Sequence, residues 1–367
     1  MITPIWPDAS GNGLARRADL FVSALAKVGP VDVLVLPIFR SGKVVSPMSP
    51  SSETVRYLEV AQTALPDSRF ALLRMLADAD DRLAAFISYG KPSVCGSISV
   101  AALPASLELV AGQAYRHVHV FRNYCAPLGL SIASRIELQQ GKPVLKTLDV
   151  DEDDASVFRA VAAGKLRSRR LVDAQWNQQE AQSHEELSRS VLSDFNAVFV
   201  ASRLEKRNLN MRYGVSAIEL PNAVDIDLPI NTNPSSGALL FVGTMGYYPN
   251  KHALDWFLRH CWPTLAATTD LSLEIVGSGP PADLRRYNNI PRIKAFGWVD
   301  DMKRHYRKAQ LFIAPLQIGG GTRLKLLDAA AHGLPIVSTS KGAEGIGLRR
   351  GADFWKADTP FAFTTSV

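Results

Sequence analysis

The sequence predicts an α/β protein made of two doubly wound halves. Three observations predict it. Residues 31–36 (VDVLVL) and 238–242 (ALLFV) are runs of β-branched and other apolar residues, broken only by Asp32, the pattern of parallel strands covered on both faces. Glycine-containing turns follow such runs and lead into helical periodicity, which is the repeating unit of a doubly wound sheet. The same grammar restarts after Gly237, and 367 residues are too many for one ordinary core.

The first half opens with a short apolar run at 2–6 and a turn at 7–13 (PDASGNG). A helix is predicted over 16–27, with Leu20, Ala24 and Leu25 on one face, and a strand over 31–36. Residues 46–52 are rich in Pro and Ser and read as loop, and 69–86 reads as one helix. Strands are predicted at 117–121, 143–148 and 197–201, and one or two helices at 157–186. Ser202 followed by Glu205 has the spacing of a capping box. The Pro, Asn and Ser residues of 229–237 form the clearest linker, so the domains are taken as 1–222 and 223–367. The second half has predicted strands at 238–242, 273–276, 293–296, 311–314 and 335–338, with helices at 252–262 and 322–332.

Composition narrows the class. Apolar residues make up 47% and charged residues 21%, the balance of a soluble globular protein. Lys27, Asp32, Pro30 and Pro37 interrupt the longest apolar run, so no spanning helix is expected. Residues 1–4 begin no basic-then-apolar leader, which predicts a cytoplasmic protein. Cys95, Cys125 and Cys261 are odd in number and far apart, so neither a metal site nor a disulfide framework is expected. A net charge of +6 and a pI near 9.2 suit nucleic acid, an anionic membrane surface or a phosphorylated substrate. Charge alone does not choose between them, and no nucleic-acid partner is expected.

The strongest local signal is 312–328 (FIAPLQIGGGTRLKLLD). A strand is followed by Gly319, Gly320 and Gly321 and then by a helix start at Thr322. Glycines let the backbone come close to a ligand. The first N–H groups of a helix lack internal partners and carry partial positive charge. Together they form an anion site, to which Arg323 and Lys325 add formal charge. A diphosphate suits such a site. Asp328 lies about 9 Å further along the helix, where a carboxylate can accept hydrogen bonds from ribose hydroxyls. Two more glycine turns end strands in this half, at Gly243 and at Gly277-Ser278-Gly279. Thr244, Asn250 and Lys251 follow the first of them, within reach of phosphate or sugar, although Lys251 also reads as a surface lysine.

The segment 241–345 resembles the donor domain of the family-four retaining glycosyltransferases of the GT-B fold, in which two Rossmann-like domains face each other across a cleft. The resemblance rests on 241–257 (FVGTMGYYPNKHALDWF), 273–281 (LEIVGSGPP), 296–302 (FGWVDDM) and 314–346 (APLQIGGGTRLKLLDAAAHGLPIVSTSKGAEGI). The last is characteristic of a subgroup with GGGTR-L-K before a helix. The first half matches more loosely, through Gly11-Asn12-Gly13 with Arg16 and through 219–225 (ELPNAVD).

The resemblance implies that Gly319, Gly320, Gly321, Thr322, Arg323 and Lys325 hold the diphosphate, with Gly243 and Thr244 beside it. It implies that Asp328 holds the ribose and that the base rests near Gly277, Trp298 and Val299. Gly11, Asn12, Gly13 and Arg16 would form the acceptor loop. A polar residue near the sugar would be Asp149 or Asp151, with Asp153 and Asp154 reading as a solvated acidic loop. Front-face transfer of this kind needs few protein bases, so catalysis falls to positioning and to charge stabilisation by Arg323 and Lys325. No cofactor is implied beyond the nucleotide-diphosphate sugar, which is itself a substrate.

The sequence departs from the wider family in several places. Of the family's two glutamates, one falls on Gly320 and the other on Asp328, and the family's frequent arginine falls on Thr244. Family members also continue past the region of Phe361 with helices that cross back to the first domain.

The implied reaction is sugar transfer to a glycan, a lipid-linked acceptor or another hydroxyl, in the synthesis of cell-surface polysaccharide or glycoconjugate. A sugar-nucleotide-binding scaffold of the same fold is the competing reading. A nicotinamide dehydrogenase is disfavoured because Leu14, Ala15 and Arg16 follow Gly13 where a third glycine is needed. Residues 162–174 carry Lys165, Arg167, Arg169 and Arg170 among Leu166, Leu171 and Val172. That stretch reads either as a basic amphipathic helix on anionic lipid or as a solvated helix face.

Overall fold

The computed structural model describes residues 1–38, 54–60, 67–99, 101–224, 226 and 237–367. The loop expected at 46–52 and the linker expected at 229–236 lie outside the described residues. The chain divides into two compact units, Met1–Leu220 and Pro221–Val367. Each has its own parallel sheet.

The first sheet contains β1 (Ile2–Thr3), β2 (Val31–Val35), β3 (Val55–Glu59), β4 (His117–Phe121), β5 (Leu145–Asp151), β6 (Ala197–Val200) and β7 (Ile218–Glu219), in the order β3-β2-β1-β4-β5-β6-β7. The second contains β8 (Ala238–Val242), β9 (Ser272–Val276), β10 (Ile293–Gly297), β11 (Leu311–Ala314), β12 (Ile336–Ser338) and β13 (Trp355–Lys356), in the order β10-β9-β8-β11-β12-β13. Every pairing between these strands is parallel. Both sheets reverse direction beside their first strand, β1 against β4 and β8 against β11. A doubly wound sheet opens its ligand crevice at such a reversal, beyond the carboxyl ends of the strands.

The apolar runs become central strands because both of their faces are covered. Leu239 and Phe241 of β8 pack into one cluster of the second unit, and Leu240 packs into another on the opposite face. The helix Tyr248–His260 buries Ala253, Leu254 and Phe257, its apolar stripe at helical spacing.

Several elements differ from expectation. Residues 69–86 form two helices, Ser68–Met75 and Ala79–Tyr89, because Leu76 is extended and the Asp78 carboxylate caps the second helix by accepting from Asp80 N and Asp81 N. β3 and β13 carry no strong strand signal and are edge strands whose order comes from their neighbours. Residues 162–174 are not one helix. They span the end of Asp154–Arg167, a turn in which Arg169 has φ 57°, and the start of Leu171–Val191. No helix among the described residues is long and apolar enough to cross a membrane.

Phe257 is fully buried, with ring centroids 6.4 Å from Trp262 and 5.8 Å from Phe363. Phe257→Ala removes this ring and leaves a cavity that the packed sheet cannot close. The variant is expected to lose about 3–5 kcal/mol of stability, read as a lower midpoint in urea denaturation.

Candidate anion site at the carboxyl edge of the second sheet

The turn after β11 is built from Gly319, Gly320 and Gly321, and Gly321 has φ 64°, where a side chain would be strained. Thr322 and Arg323 belong to this turn, and the helix begins at Leu324 and runs to Ala331, two residues later than its sequence pattern predicts. Its N-terminus has no side-chain cap. Asn222 donates from Nδ2 to the Thr322 hydroxyl, which fixes the turn against the segment that precedes β8.

Two cations meet here. Arg323 is buried; its Nη1 donates to the Gly321 carbonyl, and its Nη2 is buried with no hydrogen-bond partner. The Lys325 ammonium points inward, donating to the Val242 carbonyl at the end of β8 (2.9 Å) and to Asn250 Oδ1 (2.7 Å). It also lies 5.3 Å from the Phe241 ring centroid. Burial, and then the neighbouring Arg323 charge, pull the Lys325 ammonium down to about 7. Among the described residues, no carboxylate forms an ion pair with either cation. Bringing two like charges together in a partly desolvated corner is unfavourable, and an anion placed between them relieves it.

The strand ends beside these cations are tightly stitched. Gly277 packs so closely on the Gly243 backbone that an added Cβ would lie 2.2 Å from the Gly243 oxygen. Met245 N donates to Ser278 O (2.7 Å), and Asn250 Nδ2 donates to Thr244 O (3.1 Å). Of the other residues singled out by sequence, Thr244 and Trp298 are exposed, while Asp328 and Val299 are half-buried. Lys251 is an ion-paired residue, 2.8 Å from Asp283. Asn250, singled out with Thr244 and Lys251, does lie at this site, whereas Asn222 is the contributor that residue-type reasoning passed over. Asparagine follows proline at both positions, Pro221-Asn222 and Pro249-Asn250, and that repeated pair was the available signal.

The candidate residues of the first unit form a different arrangement. Asn12 caps the helix Gly13–Ala26 by accepting from Ala15 N (3.1 Å), Gly11 lies in the turn before it, and Arg16 is half-buried on its first turn. It is Arg17, not Arg16, that points into the sheet. Its Nε and Nη2 hold both Asp149 oxygens (2.6 and 2.7 Å), and its Nη1 donates to Leu220 O (3.0 Å). The spacing Arg17–Phe21 puts the guanidinium on the helix's buried face, 5.5 Å from the Phe21 ring centroid. Burial pushes Asp149 up to about 6 in spite of Arg17. Asp151 has φ 63° and lies between Arg17 (3.4 Å) and Arg122 (3.1 Å).

Asp153 and Asp154 are not a solvated loop. Asp153 is buried and pairs with Arg212, and Asp154 pairs with the buried Arg122 at 2.7 Å. The arginines that neutralise them come from distant parts of the chain. Ser202 caps its helix by accepting from Glu205 N, but the Glu205 carboxylate accepts from Asp153 N instead of closing the box. Among the described residues, no group of three His, Cys, Asp or Glu side chains is arranged to hold a metal.

These geometries can be compared with known proteins. Residues 236–362 match the family model described as "Glycosyl transferases group 1". The glycosyl transferases group 1 segment thus contains every residue of the anion site except Asn222. A curated relative, an uncharacterized 44.6 kDa protein in the cps region of Klebsiella pneumoniae, is 28% identical over 138 residues, covering 35% of this chain and 36% of its own length. The match therefore spans about a third of that relative.

Among solved structures, the UDP-forming α,α-trehalose-phosphate synthase of Burkholderia vietnamiensis is similar with a TM-score of 0.59 at 12% identity, covering 100% of this chain and 87% of that one. Anabaena Alr3699/HepE in complex with UDP has a TM-score of 0.55 at 12% identity, covering 99% and 88%. At such identities the likeness concerns the fold, which is GT-B: two parallel α/β sheets.

The buried Arg17–Asp149 pair predicts a specific instability. Arg17→Met leaves a buried carboxylate without its bidentate partner and is expected to cost about 3–5 kcal/mol. Thermal or urea unfolding measures it, and an unchanged midpoint would contradict the buried pairing.

Proposed function

We propose that this chain is a retaining glycosyltransferase that takes its sugar from a nucleotide-diphosphate donor. One observation carries the reading: Arg323 and Lys325 converge without a carboxylate at the uncapped start of the helix Leu324–Ala331. The UDP bound by the structurally similar HepE and the group 1 match of 236–362 support it.

In this reading the diphosphate rests on the backbone of Gly319, Gly320, Gly321 and Thr322, between Arg323 and Lys325 and next to Gly243 and Thr244. Asp328 takes the ribose hydroxyls, and the base lies by Gly277, Trp298 and Val299. Gly11, Asn12, Gly13 and Arg16 form the acceptor side. Asp149 and Asp151 act there through the ion pairs that order the ends of β4 and β5.

The acceptor oxygen bonds to the anomeric carbon as the bond from that carbon to the diphosphate oxygen breaks. The electron pair leaves with the diphosphate, and the acceptor's proton passes to the departing phosphate oxygen on the same face. The protein supplies positioning and positive charge for the leaving group, and no metal or further cofactor is invoked. The product is a glycan or glycolipid of the cell surface, consistent with a relative from a cps region. A binding protein without transfer activity is the second reading, favoured by Gly320 standing where the resemblance implies a glutamate.

A thermal-shift screen against UDP-, GDP- and ADP-sugars tests the donor. A ligand at a hundred times its Kd is expected to stabilise the protein by about 2.7 kcal/mol, and Arg323→Ala is expected to abolish most of that shift. A shift that survives in Arg323→Ala removes the phosphate assignment. Donor turnover in the same samples separates transfer from binding alone.

The enzyme is further proposed to work in the cytoplasm at an anionic membrane. The turn between Asp154–Arg167 and Leu171–Val191 exposes Leu166 and Leu171 beside Arg167, Arg169 and Arg170, an apolar and basic edge suited to a lipid interface. Flotation with vesicles containing phosphatidylglycerol, but not with phosphatidylcholine vesicles, is the expected result. Equal behaviour with both removes the membrane assignment.

A further inference from the structure

The Asn250 side chain uses both ends of its amide. Its Nδ2 donates to the Thr244 carbonyl at 3.1 Å, and its Oδ1 accepts from the Lys325 ammonium at 2.7 Å. The residue is buried, and Gly243 packs against it so closely that a Cβ on that glycine would lie 2.7 Å from Asn250 Cγ. Asn250 therefore joins the turn that ends β8 to the lysine of the opposite strand's helix, across the point where the sheet reverses. The lysine's second acceptor, Val242 O at 2.9 Å, is on the same strand end.

We infer that Asn250 is a positioning residue of the diphosphate site, one that takes one of the lysine's hydrogens while the Val242 carbonyl takes another, so that only a third can reach the ligand. The inference rests on the donor reading above. Its chemistry follows from counting donors. A neutral lysine amine has two hydrogens, and Val242 O and Asn250 Oδ1 take both; what remains is a lone pair, which repels a phosphate oxygen. The charged ammonium has three hydrogens, so the diphosphate is held only by the protonated form.

The groups that face Lys325 do not supply that charge. Arg323, from its own turn, disfavours it. Phe241 of β8 offers a ring face, and Tyr306 of the helix Met302–Lys308 donates its hydroxyl to the Lys325 backbone carbonyl. Lys251, next to Asn250, is engaged by Asp283. With the free lysine brought down to about 7, donor binding takes up a proton above that pH and not well below it. Affinity therefore falls as pH rises from about 7 to 8 and beyond, because the bound state holds more protons than the free state.

Calorimetry in two buffers of different ionisation enthalpy reads this proton count directly. UDP-glucose, GDP-mannose and ADP-glucose serve as probes because their diphosphate diesters do not titrate between pH 6 and 8. For the probe that binds, the wild-type chain is expected to take up close to one proton per ligand at pH 8 and to approach none at pH 6. Asn250→Asp keeps the shape and adds a carboxylate that holds Lys325 charged, so its uptake at pH 8 is expected to fall toward zero. Lys325→Arg, which stays charged at any working pH, is expected to show none either. Asn250→Ala is expected to bind about tenfold more weakly.

Binding by the wild type without proton uptake at pH 8 overturns the inference and leaves the donor reading standing. Wild-type uptake that persists in Lys325→Arg overturns it too, since the proton then goes elsewhere. Equal affinity and equal uptake in Asn250→Ala and the wild type remove Asn250 from the role. If no probe binds the wild type, the donor reading falls and the inference falls with it.

Discussion

The Lys325 ammonium reaches back across the sheet to the last carbonyl of β8, while the Arg323 guanidinium folds onto the glycine turn from which it springs. Among the described residues, neither forms an ion pair with a carboxylate. Burial, and then the like charge of Arg323, weaken the hold of the lysine on its proton. Much of the architecture around them exists to keep this unfavourable pair in place. The asparagines Asn222 and Asn250 pin the turn and the lysine, and Gly277 packs on the Gly243 backbone too closely for a side chain to stand between those strand ends.

The first unit shows the opposite electrostatic solution at the carboxyl ends of its own strands. Arg17 and Arg122 are as deeply buried as Arg323, but Asp149, Asp151 and Asp154 surround them. A buried cation already matched by carboxylates has little left to offer an anion, and removing either partner strands the other. The first six strands of one sheet follow the same order as the six of the other, yet the two cations at the ends of the second sheet's strands have no carboxylate partner among the described residues. Which strand ends keep uncompensated positive charge is thus decided by charge balance there and not by the fold.

Much of the fold was legible from pattern. The strands at 238–242 and 311–314 fall where their apolar runs place them, because a strand covered on both faces must be apolar throughout. β3 and β13 were not legible; as edge strands they are set by the neighbour they pair with, and local residue preference says little about that. The break between Ser68–Met75 and Ala79–Tyr89 was missed although Asp78 is a good cap, since helical periodicity carries across the short extended stretch between them. The acidic run at 151–154 was misread for a similar reason: its arginines come from elsewhere in the chain, and a charge run looks solvated until its partners are known.

By itself the sequence determined two doubly wound sheets and the run of glycines, helix start and adjacent cations at 319–328, because these depend on neighbouring residues. Tertiary structure alone decided which charges are answered. Arg17 finds Asp149 132 positions away, and Lys325 finds Asn250 and Val242 75 and 83 positions away. Coulomb and hydrogen-bond energies depend on distance in space and on how much water remains between groups, and the order of residues along a chain specifies neither until the sheets have formed.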